Sequence, residues 1–326
     1  MSKRTLIVGT VAILVLLVAA AYVGASTVVY NRLSAVEAHC AGDADLLDNM
    51  PASFNTYNDL DTTPYLMPDY EEVSFPSRDD HLNIASWYVP AGDDSTAAPT
   101  VILVHGLDSC RRSPAILLAA GMLHRNGFNA LLLDLRDHGD SQVEDGRYAG
   151  GTEEYRDVLG AWDWLIAEKS AAPERIGLFG TSLGAATALI AAGEEPRVAA
   201  VWEDSSYADI GVAIRAEVAR NGYPEFLVDG GILIGKLIAG DDLAALSPLG
   251  AIEKMSGRPV FITHGDADTR LSVQYASDLA DAIRAHGGTV DPWIVEGADH
   301  TRAIFLHPEE YEQRLVEFFA GNLGAS

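Results

Sequence analysis

Residues 176–193, IGLFGTSLGAATALIAAG, constrain this chain more than any other stretch. Four residues of strand character run into Gly180-Thr181-Ser182-Leu183-Gly184, and a helix of small residues follows without a linker. A G-x-S-x-G turn between a strand and a helix is too tight for side chains at its flanks, so Gly180 and Gly184 stand where a Cβ would clash. Ser182 is then expected in a strained backbone conformation, with its hydroxyl exposed at the helix N-terminus. Such a turn belongs at the carboxyl edge of a parallel sheet.

The remainder of residues 70–326 supplies that sheet. Short apolar runs at Thr100–Val104, 130–134, 176–179, 198–202 and 259–263 read as buried parallel strands. Residues 71–75 and 82–89 read as a strand pair, and 290–295 as a last strand interrupted by Pro292. Helical patterns at 114–126, 153–168, 273–286 and 308–319 fall between and after them, with Thr152 as an N-cap and Pro308 in a first turn. Strands alternating with helices predict an open sheet covered on both faces, which binds ligands at the carboxyl ends of its strands.

The chemistry gathers at those ends. A serine hydroxyl is a poor nucleophile until an imidazole takes its proton, and that imidazole needs a carboxylate to fix its tautomer. His300 follows the final strand and Asp268 follows the strand before it, giving the chain order Ser182, Asp268, His300. Asp266 and, after the 198–202 strand, Asp204 compete for the acid role, while Asp266 and Asp299 also read as loop caps. His138, in the loop after the 130–134 strand, reads as a residue that ties its loop down rather than a base. The amides of Leu107, in His105-Gly106-Leu107-Asp108, and of Leu183 are the expected oxyanion donors.

These residues, together with Asp134-Leu135-Arg136, His138-Gly139, Ser141, Gly150, Glu153/Glu154, Asp157, Pro248-Leu249 and His264-Gly265, resemble the α/β-hydrolase superfamily. The resemblance runs over about residues 70–322 and is strongest to monoglyceride-lipase-like and serine-aminopeptidase-like hydrolases. It implies a mostly parallel eight-stranded sheet with helices on both faces. It implies a helical cap in the insert at about 206–257, where Phe226, Leu227, Ile232, Leu233 and Ile234 are candidates to line an acyl pocket. The implied function is a serine hydrolase cleaving small carboxylic esters through a Ser-His-Asp triad and an acyl-enzyme, with no cofactor and no metal. A peptidase or thioesterase of the same fold, or a non-catalytic binding protein, are the alternatives. Asp137 stands where the family usually has glycine, and no His-Gly-Gly-Gly tract is present.

The N-terminus adds a second theme. Lys3 and Arg4 precede a strongly apolar run of eighteen residues, 6–23, near the length that crosses a bilayer as a helix. Residues 1–31 are therefore expected to anchor the chain, with the N-terminus cytoplasmic and the catalytic domain outside. The alternative is secretion after cleavage behind Val23-Gly24-Ala25, and Arg32 on the far flank weighs against a simple anchor. Residues 32–69, rich in Asp and Pro, read as an acidic stalk with a short helix near 36–48, so a chain starting at residue 32 is expected to be soluble and active. The formal charge of −25 disfavours nucleic acid as a partner. Cys40 and Cys110 are too few for a disulfide scaffold or a zinc site and read as two unrelated free thiols, with pairing as the alternative for a domain outside the cytoplasm.

Overall fold

The computed structural model describes residues 3–36, 40, 48–57, 60–92, 96–240, 242–243 and 245–324. Eight strands form one sheet: β1 Glu71–Pro76, β2 Asn83–Val89, β3 Thr100–Val104, β4 Asn129–Leu133, β5 Ile176–Thr181, β6 Ala200–Asp204, β7 Val260–Gly265 and β8 Trp293–Val295. Their spatial order is β1-β2-β4-β3-β5-β6-β7-β8. The β1–β2 and β2–β4 pairs are antiparallel and every later pair is parallel. Because side chains alternate along a strand, a sheet buried on both faces needs apolar residues throughout. In β3, Val101 and Leu103 enter one core cluster while Ile102 and Val104 enter the other.

Helices α2 (Pro114–Arg125) and α9 (Pro308–Asn322) cover the first face. Helices α3 (Tyr155–Lys169), α4 (Leu183–Glu194), α7 (Pro248–Met255) and α8 (Gln274–Ala285) contribute to the second cluster. Thr152 does not cap α3. Its hydroxyl donates to the carbonyl of Ala149, and the helix begins after Glu154. The final strand begins only at Trp293, since Pro292 has no N–H to give a ladder.

The insert after β6 holds α5 (Ile210–Arg220) and α6 (Val228–Ile234), the latter running into a wider helical turn at Gly235–Ala239. Against it lies α1 (Lys3–Ser34), a single continuous helix. Its run 6–23 is exposed, whereas Ser26, Val29, Tyr30 and Ser34 are buried. Val29 packs with Val218, Leu227 and Val228. A Cβ on Gly230 would strike Ser26 and the Tyr22 hydroxyl, so glycine is what lets the two helices approach.

Two expectations change here. The described part of 48–69 is no loose stalk: Phe54, Tyr65 and Met67 are buried in the core beside α2, and a Cβ on Gly121 would strike Tyr65. Prolines and aspartates suggested looseness, but the apolar residues between them find a helix face to cover. The expected helix near 36–48 falls almost wholly outside the described residues. Cys40 and Cys110 are not free thiols; they form a disulfide, with Cα atoms 5.2 Å apart, closing a loop across a separation of 70 residues.

The packing of α1 also moves the expected cut. A chain starting at Ala25 keeps the buried part of α1 and should be soluble and stable. One starting at Val36 loses the burial of Val29 and Tyr30, at about 2 kcal/mol each. A denaturant titration of the two chains, showing the shorter less stable by about 4 kcal/mol, checks this; equal stability would mean that α1 does not pack on the domain.

Candidate active site

β5 ends at Thr181, and Ser182 turns the chain into α4 with φ 55° and ψ −120°, a left-handed conformation that a non-glycine residue adopts only when its surroundings compel it. The compulsion is visible. The Ser182 N–H donates to the Asp204 carbonyl at 2.8 Å. A Cβ on Gly180 would run into the backbone of Gly184, and one on Gly184 into the carbonyls of Val104 and His105. The loop after β3 closes from the other side, where a Cβ on Gly106 would come within 3.2 Å of the Ser182 Cβ.

The loops after β7 and β8 bring the other two groups. His300 Nε2 lies 2.9 Å from Ser182 Oγ, and His300 Nδ1 lies 2.8 Å from Asp268 Oδ2. The Asp268 side chain is wholly buried, and its Oδ1 accepts the N–H groups of Arg270 and Leu271 at 2.8 and 2.7 Å. Burial opposes ionisation of Asp268, but hydrogen bonds from His264 and His300 and the neighbouring His300 charge outweigh it and hold the carboxyl well below its ordinary range.

The remaining candidates sit apart. Asp204 is buried and accepts from the Tyr311 hydroxyl at 2.8 Å and the Ser205 hydroxyl at 2.9 Å. Asp266 accepts the Gly297 N–H, and Asp299 accepts the N–H groups of Thr269 and His300, so both act as loop caps. His138 Nδ1 lies 2.8 Å from the Arg136 carbonyl, away from Ser182, and ties its loop. Asp137 has φ 63°, which suits the family's glycine. Its Oδ1 accepts three backbone N–H groups, from Glu144, Asp145 and Gly146.

Ser182 opens into a cavity of about 210 Å³ that both Leu107 and Leu183 line. Leu183 opens α4, so its N–H belongs to the first turn, where a helix leaves amides without internal partners. The cavity wall differs from expectation. None of Phe226, Leu227, Ile232, Leu233 and Ile234 lines it; Ile210, Ala213 and Ile214 of α5 do, with Tyr148, Leu271 and the α1 residues Arg32 and Leu33. The reason is α1 itself, which packs on that part of the cap and takes up Leu227 and Val228, while Phe226 and Leu233 stay exposed. The sequence signal for this was Arg32, a charge out of place for a plain anchor. A second cavity, of about 180 Å³, shares Leu107 and Asp108 with the first and is bordered by Cys40 and Cys110.

A further group lay beyond sequence reasoning. His264, at the end of β7, places Nε2 3.2 Å from Asp268 Oδ2, so Asp268 faces two imidazoles. Burial disfavours a charge on His264, but its bond to Asp268 and the nearby Glu203 raise its pKa overall. Burial pushes the Glu203 carboxyl up to about 8, against the pull of His264 and the Ser206 N–H. In the folded protein Glu203 therefore keeps a proton that the unfolded chain releases near pH 4.5. Its contribution to stability is fully present below that pH and is lost as pH rises through 8. Thermal midpoints measured from pH 5 to 9 should fall, and Glu203→Gln should flatten that fall; an unchanged slope would exclude Glu203 as its source.

A strained serine between a glycine-flanked strand and helix, on a mostly parallel eight-stranded sheet, defines a hydrolase of the α/β-hydrolase superfamily. The profile of the prolyl oligopeptidase family matches residues 120–326, and the chain belongs to that family. Among relatives, the uncharacterized protein YfhR of Escherichia coli K12 is 24% identical over 259 residues, covering 78% of this chain and 81% of the relative. An esterase of Pyrococcus furiosus has a similar structure, with a TM-score of 0.64 at 23% identity over 83% of this chain and 99% of the esterase. The acylaminoacyl peptidase of Pyrococcus horikoshii gives a TM-score of 0.57 at 20% identity, over 78% of this chain and 42% of the peptidase.

Proposed function

We propose that this protein is a serine hydrolase of carboxylic esters, with Ser182 as nucleophile, His300 as general base and then acid, and Asp268 as the group that orients His300. The observation that carries the reading is the unbroken hydrogen-bond path from Ser182 Oγ through both nitrogens of His300 to Asp268. Ser182 Oγ attacks the ester carbonyl carbon while its proton passes to His300 Nε2. The Leu107 and Leu183 amides receive the developing oxyanion. Collapse expels the alcohol, which takes the proton from His300 and leaves an acyl-enzyme. Water then repeats the sequence and releases the acid. No step calls for a metal or an organic cofactor.

The family match favours a second reading, amide or peptide hydrolysis by the same groups. A panel of p-nitrophenyl esters and aminoacyl p-nitroanilides separates the two. Turnover of the esters is expected, and turnover of the anilides alone would move the protein to the peptidases. Failure of a fluorophosphonate to label Ser182 would remove the enzyme reading altogether.

We read α1 as a membrane anchor with the catalytic domain outside the cytoplasm. Lys3 and Arg4 flank the apolar run on the cytoplasmic side, and a Cys40–Cys110 disulfide persists in an oxidising compartment. Secretion after cleavage behind Ala25 is the competing course.

A further inference from the structure

We propose that α1 both anchors the protein and walls the Ser182 cavity, fixing that cavity just above a lipid bilayer so that it draws its substrates from esters dissolved in that bilayer. The inference rests on the ester-hydrolase reading of the same site.

The exposed apolar run 6–23 spans about 27 Å as a helix, against a hydrocarbon core of about 30 Å. At its end stands Tyr22, the kind of residue that settles at a membrane interface. Its ring stacks on Phe226 with centroids 6.2 Å apart, and its hydroxyl donates to the Phe226 carbonyl at 3.0 Å. Phe226 is 65% exposed, and Leu233 and Leu237 of the same cap segment are 54% and 71% exposed. Phe226 thus gives the cap an apolar foot at the point where the apolar shaft ends. A bilayer is the occupant that fits both, because the foot continues the shaft's own surface.

Beyond Tyr22 the helix does not swing on a linker. The Ser34 carbonyl accepts the Tyr148 N–H at 2.9 Å, and the Val36 N–H donates to the Gly146 carbonyl at 2.9 Å. Arg147 lies over the Tyr30 ring at 4.9 Å and donates to Ser34 Oγ at 2.9 Å. The three amides that Asp137 collects hold the 144–146 side of this socket in shape. From this clamped end Arg32, Leu33 and Ala35 face the same cavity as Ser182. Ten residues of helix separate Val23 from Leu33, about 15 Å, and any tilt of α1 lowers the cavity further. The apolar wall of Leu33, Ile210, Ile214 and Leu271 is suited to an apolar chain leaving the lipid.

The test uses the full chain in phosphatidylcholine vesicles. Seven helix-forming residues inserted between Gly24 and Ala25 add about 10 Å and two turns, so residues 25–34 keep their packing while Tyr22 leaves Phe226 and the cavity rises from the bilayer. Hydrolysis of water-soluble p-nitrophenyl acetate should be unchanged, and hydrolysis of p-nitrophenyl palmitate carried in the vesicles should fall at least tenfold. Equal palmitate rates before and after the insertion would overturn the inference. So would a mature N-terminus at Ser26 in the protein purified from its host, since no anchor would then remain. Loss of both esters in the unmodified chain is a different result: it fails the ester reading, and this inference with it.

Discussion

Replacing Ser182 with alanine is expected to lower ester turnover by roughly 10⁶-fold, to the level left by binding and the oxyanion amides. The fold should survive. Alanine carries the same Cβ that Ser182 already places in the left-handed turn, and among the described residues the only side-chain hydrogen bond removed is the one to His300. Losing that bond costs about 1 kcal/mol or less. The measurement pairs a thermal melt with initial rates on a p-nitrophenyl ester. A variant that melts normally yet keeps a tenth of the wild-type rate would mean that Ser182 is not the nucleophile.

Asp268→Asn should lower turnover by about 10⁴-fold. The size of the effect follows from what surrounds the carboxylate. Oδ1 accepts from the amides of Arg270 and Leu271, so an asparagine must keep its oxygen there and turn its NH₂ toward His300. That donor forces a proton onto Nε2, the nitrogen that has to receive the Ser182 proton, and the base becomes unusable until the tautomer flips. Rates across pH 5–9 with folded variant protein provide the check. Near-normal activity would reject Asp268 as the orienting acid, and neither Asp204 nor Asp266, each satisfied by other partners, is placed to replace it.

Much of the fold was legible because its strands are short, apolar throughout and separated by helical spacing. Thr100–Val104 stands where the pattern put it. Ser182, Asp268 and His300 were legible as strand-end residues, since a parallel sheet delivers all its carboxyl ends to one edge. The cap's role was not legible. Leu227 is as apolar as any acyl-pocket residue, and only the position of α1 decides that it faces elsewhere. That position was signalled only by Arg32, because residues 6–23 are apolar on every side and carry no periodicity to mark where a lipid-facing stretch gives way to a protein-facing one. The disulfide was hidden by the sequence separation of 70 between its cysteines. His264 was legible only within the His264-Gly265 pair of the family resemblance; its place beside Asp268 and near Glu203 depends on β6 and β7.

Asp137 carries an implication for how this arrangement arose. The backbone there is left-handed, and both glycine and aspartate tolerate it, so exchanging one for the other leaves the loop's course intact. Glycine and aspartate codons differ by one base. A single base change can therefore add the carboxylate that claims the amides of Glu144, Asp145 and Gly146 beside the end of α1. Asp137→Gly is expected to keep the loop's course but release the three amides, and so to loosen the socket that the Ser34 carbonyl and the Val36 N–H occupy.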